Sequence, residues 1–477
     1  MIPWRKRNRG SAIESMTVWG CSLLFVGALL FPVRPLHASA RFSVSGKVTL
    51  DTVYRLDPAS LEQDPSAIAD VNVNWRKSGW DIHSSLETGW DGAVLHPVRD
   101  NAILKSFDRV YQDNTPYVEF KELYLERQVG SLDVRAGIQR YCWGRLDEYP
   151  VNDLLNPWDY TRFILRPLQE RKIGAPSISA VLERDGNTFT LVWEPWFTPY
   201  RLPEPYERWF PVSALRTLST LPGVELIPEE PDPPAETLAN GAVGFRMEHM
   251  GDIDWAVTLF NGFDPRPVFR TTALLVMPTS GTGVRIDPGF VPSFHRITSI
   301  GTDGDWATGD WSLRWEGAFA FNRSFDVSEQ LWGYPKVLAP GVFPLNPIEL
   351  QRNTLDYGLA ADYRLGDNRF LQNAVLTLQA QQTLIIDRPD ALYQKEVETL
   401  LWGSLIAFRK NHRIELSLTL AYNPEHGDWM FKPGAYYVFT DSLKAGVIGL
   451  VLRGPSQSLF GAYSDNDQVE IQTIWSF

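Results

Sequence analysis

Few residues in this chain suit covalent chemistry. Its 477 residues include seven histidines and two cysteines, Cys21 and Cys142. It has no His-Glu-x-x-His, no Gly-x-Ser-x-Gly, no phosphate-loop lysine and no cysteine pair at metal-ligand spacing. His83, Ser85 and Glu87 alternate onto one face of a strand. That is a hydrolase constellation in outline, with His249 as a second candidate base, but the same period also produces the polar lining of a water-filled lumen, and the lining is the reading taken. Asp303, Asp305 and Asp310 in "GTDGDWATGD" have a spacing that suggests calcium. They lack the Glu that closes such a loop, so the segment reads as a turn. No catalytic residue, metal or cofactor is expected.

The chemistry that the sequence does support is ionic. It concentrates in "GIQRYCWGRLDEYPVNDLLNPWDYTRFILRPLQERKIGAP", residues 137–176. Arg140, Arg145, Arg162 and Arg166 share this stretch with Asp147, Asp153 and Asp159, while Arg135 and Gln139 precede it on a strand. Arg314 and Glu316 alternate on another strand. Opposed charges at a constriction order water and sort solutes by charge and dipole. These eleven residues are the pore-lining candidates. The inward-folded form of 141–175 competes with an external cap held by surface ion pairs.

Such a loop needs a barrel, and the rest of the chain reads as one. From Arg41 onward apolar and polar residues alternate, as in "WSLRWEGAFAF", where Trp311, Leu313, Trp315 and Phe319 oppose Ser312, Arg314 and Glu316. About eighteen strands are expected (sixteen is the alternative), joined by turns that run short, long, short, long. That pattern fits an all-β, up-and-down antiparallel transmembrane barrel, with short turns in the periplasm and long loops outside. The strand at 117–129 loses phase between Phe120 and Leu123, which predicts a bulge. Leu313 is expected to face lipid near the midplane. Glu316 is expected to face the lumen, where Glu316→Gln should scarcely change folding.

Residues 1–40 have a basic head, an apolar core and a small-x-small "ASA" ending, the layout of a secretory signal peptide. Residues 41–477 would then form the barrel. Their 40 Lys+Arg against 56 Asp+Glu, about −16, argue against a nucleic-acid partner. Only Cys142 remains in that part, so no internal disulfide is possible there.

Gly137-x-Gln139, Trp143-Gly144 and Asn156-Pro157-x-Asp159, with "VWEPWFTP", "LPEPYERW" and the final "DNDQVEIQTIWSF", carry a resemblance. The chain resembles Gram-negative outer-membrane barrels of porin-like and alginate-export-like character. The resemblance implies a pore or export conduit in the outer membrane, and Trp475 and Phe477 as a terminal cue for the barrel-assembly machinery. The expected partners are outer-membrane lipid, that machinery and small hydrophilic solutes. The oligomeric state is left open. The alternative is a plugged barrel serving a periplasmic lipid-handling or electron-transfer complex.

Overall fold

The computed structural model describes residues 41–56, 63–92, 117–203, 208–210, 227–228, 232–278, 284–326, 341–344, 350–368, 370–392, 394–456 and 458–477. The expected signal segment, 1–40, lies outside them, as does much of the long connection after residue 203.

Eighteen strands form one closed sheet. They are β1 (Arg41–Arg55), β2 (Gln63–Lys77), β3 (Trp80–Asp91), β4 (Tyr117–Val129), β5 (Leu132–Gln139) and β6 (Ala175–Arg184). Then come β7 (Asn187–Glu194), β8 (Ala242–His249), β9 (Asp254–Phe263), β10 (Arg296–Thr308), β11 (Trp311–Phe325) and β12 (Leu350–Gly366). The last six are β13 (Gln372–Ile385), β14 (Val397–Arg409), β15 (Ile414–Asn423), β16 (Asp428–Thr440), β17 (Leu443–Arg453) and β18 (Gln468–Ser476). Each pairs antiparallel with the next, and β18 pairs with β1 from Lys47↔Ser476 to Arg55↔Gln468. Closure removes both free edges. The seam is locked where the Phe477 N–H donates to Gly46 O and the Gly46 N–H donates to Phe477 O, each at 3.0 Å.

Alternation sets the two faces. Leu191, Phe245, Leu259, Ile300, Phe319, Leu355 and Leu384 stand opposite one another across seven consecutive strands, so the outer wall carries a continuous apolar row. The opposite face carries the polar partners and surrounds the lumen. In β4 the register slips so that Ser85 opposes Glu122 while Leu86 opposes Phe120. Lys121 is the extra residue, and the bulge turns both Lys121 and Glu122 inward. No single alternating phase can do this.

Three expectations need correction. Asp303 and Asp305 do not form a turn. They lie within β10, and only Gly309 and Asp310 separate it from β11. Their carboxylates are neutralised by arginines, described below, so the run of acids can stay in a strand. Leu313 does face outward, but it is the third residue of β11, close to the short-turn end and not at mid-strand. Finally, the segments read as unstructured loops contain a second, four-stranded sheet. It is built from Val268–Pro278, Val284–Ser293, Gly341–Pro344 and Ile227–Pro228.

Candidate functional site

The segment between β5 and β6 is a folded unit with a tied neck. Asn156 is fully buried and donates to the carbonyls of Gln139 and Ile173, both at 2.9 Å, while the Tyr141 N–H donates to its Oδ1 at 2.5 Å. One amide thus joins the outgoing and returning chain. Inside the unit, Lys172 pairs with Asp153, and Arg171 pairs with Glu148 while lying 5.7 Å from the Trp158 ring. Asp159 caps Thr161 (N–H at 3.0 Å) and receives Arg201 at 3.0 Å. Burial pushes the Glu148 and Asp153 carboxyls up, and Arg171 and Lys172 bring them only partly back.

This unit reaches the lumenal wall on several sides. Glu316 of β11 is buried and accepts backbone N–H groups from Arg145, from Leu146 (2.6 Å), from Val151 (2.7 Å) and from Asn152 (3.2 Å). Gly144 makes that cradle possible. Its φ is +115°, and a Cβ there would sit 2.8 Å from Glu316 Oε1. Arg145 then pairs with Asp303 (2.9 Å), Asp305 and Glu248 (2.7 Å), and Arg246 closes on Asp303 at 2.6 Å. Arg314 holds Asp147 at 2.7 Å and Asp362 at 2.9 Å. On β1 and β3, Arg162 pairs with Asp91 (2.5 Å) and Asp51 (3.4 Å), and Arg166 with Glu87 (3.2 Å). Glu316 was expected to tolerate Gln. The four amides converging on its carboxylate speak against that expectation.

Two apolar clusters pin the unit as well. Trp143 and Leu155 pack on Val192, Phe260 and Ile297 of β7, β9 and β10. Phe163 and Ile164 pack on Leu400, Ala421, Met430, Leu450 and Leu452 of β14 to β17, with Trp209 and Phe460 alongside. These wall residues sit on the lumenal face, where alternation alone predicts polar ones.

Against this wall remains a cavity of about 320 Å³. It lies between residues 162–170 and the strands β1, β2 and β15 to β18. Asp51, Asp70, Glu170 and Glu470 line it together with Arg162, Arg166 and Lys432, and with the neutral Thr49, Ser417, Thr419, Tyr436 and Gln472.

The eleven candidates therefore divide. Arg162 and Arg166 border the cavity, and Arg145, Asp147, Arg314 and Glu316 join the segment to the wall. Arg140 holds Glu122 at 2.9 Å, and Arg135 holds Glu126 at 2.9 Å near the short-turn end. Gln139, Asp153 and Asp159 are buried struts. Gln139 donates to Ser177 O at 3.0 Å and accepts from Ser179 Oγ at 2.8 Å. Lys432, Asp70, Glu170 and Glu470 were not among the candidates. Glu470 was legible as a lumen-facing acid opposite Ile471. Nothing in the sequence placed Lys432 beside residues more than two hundred positions away. His83 stands by Asn74 (2.6 Å) and Glu122 (3.6 Å), and among the described residues it has no hydrogen bond to Ser85. Trp475 and Phe477 face outward with their rings 5.1 Å apart.

No protein-family model matches the chain, and no curated protein is similar to it. Solved structures align with it at low identity. Salmonella typhi OmpF in complex with daunomycin is 10% identical, with TM-score 0.41 over 92% of this chain and 98% of that one. Acinetobacter baumannii OccAB1 is 8% identical, with TM-score 0.48 over 92% and 96%. The outer-membrane channel DcaP of Acinetobacter baumannii is 8% identical, with TM-score 0.43 over 94% and 100%.

Proposed function

We propose that this chain is an outer-membrane channel for passive passage or export of small hydrophilic solutes, and that residues 141–175 form its constriction. One observation carries the reading: a closed ring of eighteen strands has an apolar outer row and a charged cavity left open beside an inward-docked segment. A ring of this size encloses more space than its own side chains can fill. The apolar row suits a lipid bilayer, and the outer membrane of a Gram-negative bacterium is where such barrels reside. The short turns would then face the periplasm. Charges from the segment and from the wall meet across the cavity, which suits sorting by charge.

Purified protein in a planar bilayer should show steady open-channel steps. A plugged barrel would show none. Arg145→Ala with Arg162→Ala takes from Asp305 and Asp51 the cation each is paired with, while Glu248 keeps Arg246 at 3.6 Å. In a salt gradient the reversal potential should move toward cation selectivity. An unchanged potential would remove 141–175 as the selectivity element.

A further inference from the structure

Within the cavity nearly every charge is matched. Arg162 is committed to Asp91 and Asp51, and Arg166 to Glu87. Lys47 is committed to Glu170, with Asp70 at 3.7 Å. Two groups of opposite sign differ. The Lys432 ammonium donates to Leu165 O at 2.7 Å, and the Glu470 carboxylate accepts from Gln472 Nε2 at 3.0 Å. Among the described residues neither has an ion pair within 4.0 Å, although each lies in the other's field and the Asp51 carboxyl stands against Glu470. Both line the same space, Lys432 from β16 and Glu470 from β18, two strands apart. The register sets Glu470 level with Ile448 and Gly434, two residues along from Lys432, so their backbones stand about 12 Å apart.

We propose that Lys432 and Glu470 form a binding site for small zwitterions, solutes that carry one carboxylate and one ammonium. The inference rests on the channel reading above and adds a solute class to it. An ammonium held only by a carbonyl keeps N–H groups for an incoming carboxylate. Thr419 stands directly opposite Lys432 in the sheet and adds a hydroxyl. The carboxylate of Glu470, oriented by Gln472, takes the solute's ammonium. Gln472 is itself fixed by the Tyr436 hydroxyl, which donates to its Oε1 at 2.7 Å. A cavity of about 320 Å³ is at the small end of ligand sites and suits a molecule of amino-acid size. A solute with one charge satisfies one partner and leaves the other buried and unmatched. The site therefore discriminates against simple carboxylates and simple amines.

The test uses the full chain in detergent, titrated calorimetrically with 4-aminobutyrate, glycine, acetate and methylammonium, beside bilayer recordings with the same four probes. The zwitterions should bind and block current at least about tenfold more tightly than either singly charged probe. Lys432→Gln and Glu470→Gln should each reduce that binding by about tenfold or more, the scale of one charge-assisted hydrogen bond. Lys432→Arg and Glu470→Asp keep the charges and should retain the preference, which controls for misfolding. Equal binding of all four probes, or zwitterion binding unchanged in both Gln variants, overturns the site. Steady conductance without zwitterion preference rejects the site and leaves the channel reading standing. Zwitterion binding in detergent without any conductance keeps the site and rejects the channel.

Discussion

Glu316 shows how far one side chain can organise this lumen. A carboxylate offers two oxygens, and here each takes two backbone amides. Glutamine would turn an N–H₂ toward one pair of donors. Glu316→Gln should therefore raise the hydrogen-exchange rates of the Leu146 and Val151 amides by about 10- to 100-fold, matching the 1.5–3 kcal/mol of a hydrogen bond to a charged group. Unchanged protection would mean that the cradle does not hold the segment. Asp264 makes a second residue-scale case. Burial alone would raise its pKa, yet Arg266 (2.9 Å) and Arg323 (3.4 Å) hold it below the usual carboxylate range. A lowered folded pKa adds stability above the ordinary value of about 3.9, and that stability is lost as pH falls through the folded value. Asp264→Asn should thus cost about 1–3 kcal/mol in urea unfolding at pH 7 and almost nothing in strong acid. A cost that persists in acid would assign the loss to packing instead.

At the scale of elements, strands were legible and the docked segment was only partly so. Period-two alternation located all eighteen strands, because one face meets an apolar medium and the other does not. Alternation alone starts β2 near residue 69, too late, since Pro65 reads as a loop residue although it pairs with Thr52. The bulge at Lys121 was visible as lost phase. Docking leaves a fainter trace. Where the segment covers the wall, the strand must be apolar on both faces, and "VIGLVL" (447–452) is such a run, with Leu450 and Leu452 buried under Phe163 and Phe460. The contact of the Lys432 ammonium with the Leu165 carbonyl leaves no local trace, because closure of the barrel and docking of the segment alone bring them together. The neck makes a prediction for the element. Asn156→Ala removes three hydrogen bonds at a fully buried site. The 141–175 segment should become protease-sensitive, and open-channel current noise should rise while barrel strand content by circular dichroism stays constant. Protease resistance equal to wild type would show that the two apolar clusters suffice to hold it.

The whole molecule is constrained by its two solvents, and depth in the membrane decides what a substitution costs. Leu359 is the tenth of seventeen residues in β12, is 66% exposed, and stands between Trp315 and Ala380 on the outer face. Leu313 is also outward but lies two register pairs from Trp311 and Tyr363, whose rings are 4.5 Å apart near the short-turn end. Aromatic pairs of that kind mark the interface, where an arginine can reach water and headgroups. At mid-strand its guanidinium must be drawn into hydrocarbon or must thin the bilayer. Leu359→Arg should therefore cost about 2–4 kcal/mol in a lipid-vesicle folding titration, and Leu313→Arg only about 0–1 kcal/mol. The gradient is the informative quantity, since a soluble barrel would charge both sites alike for lost apolar contacts. Equal costs at 359 and 313 would count against a bilayer around this barrel, and with it against the channel. A steep difference would fix the midplane near Leu359 and set the Glu316 cradle one residue from it on the long-loop side.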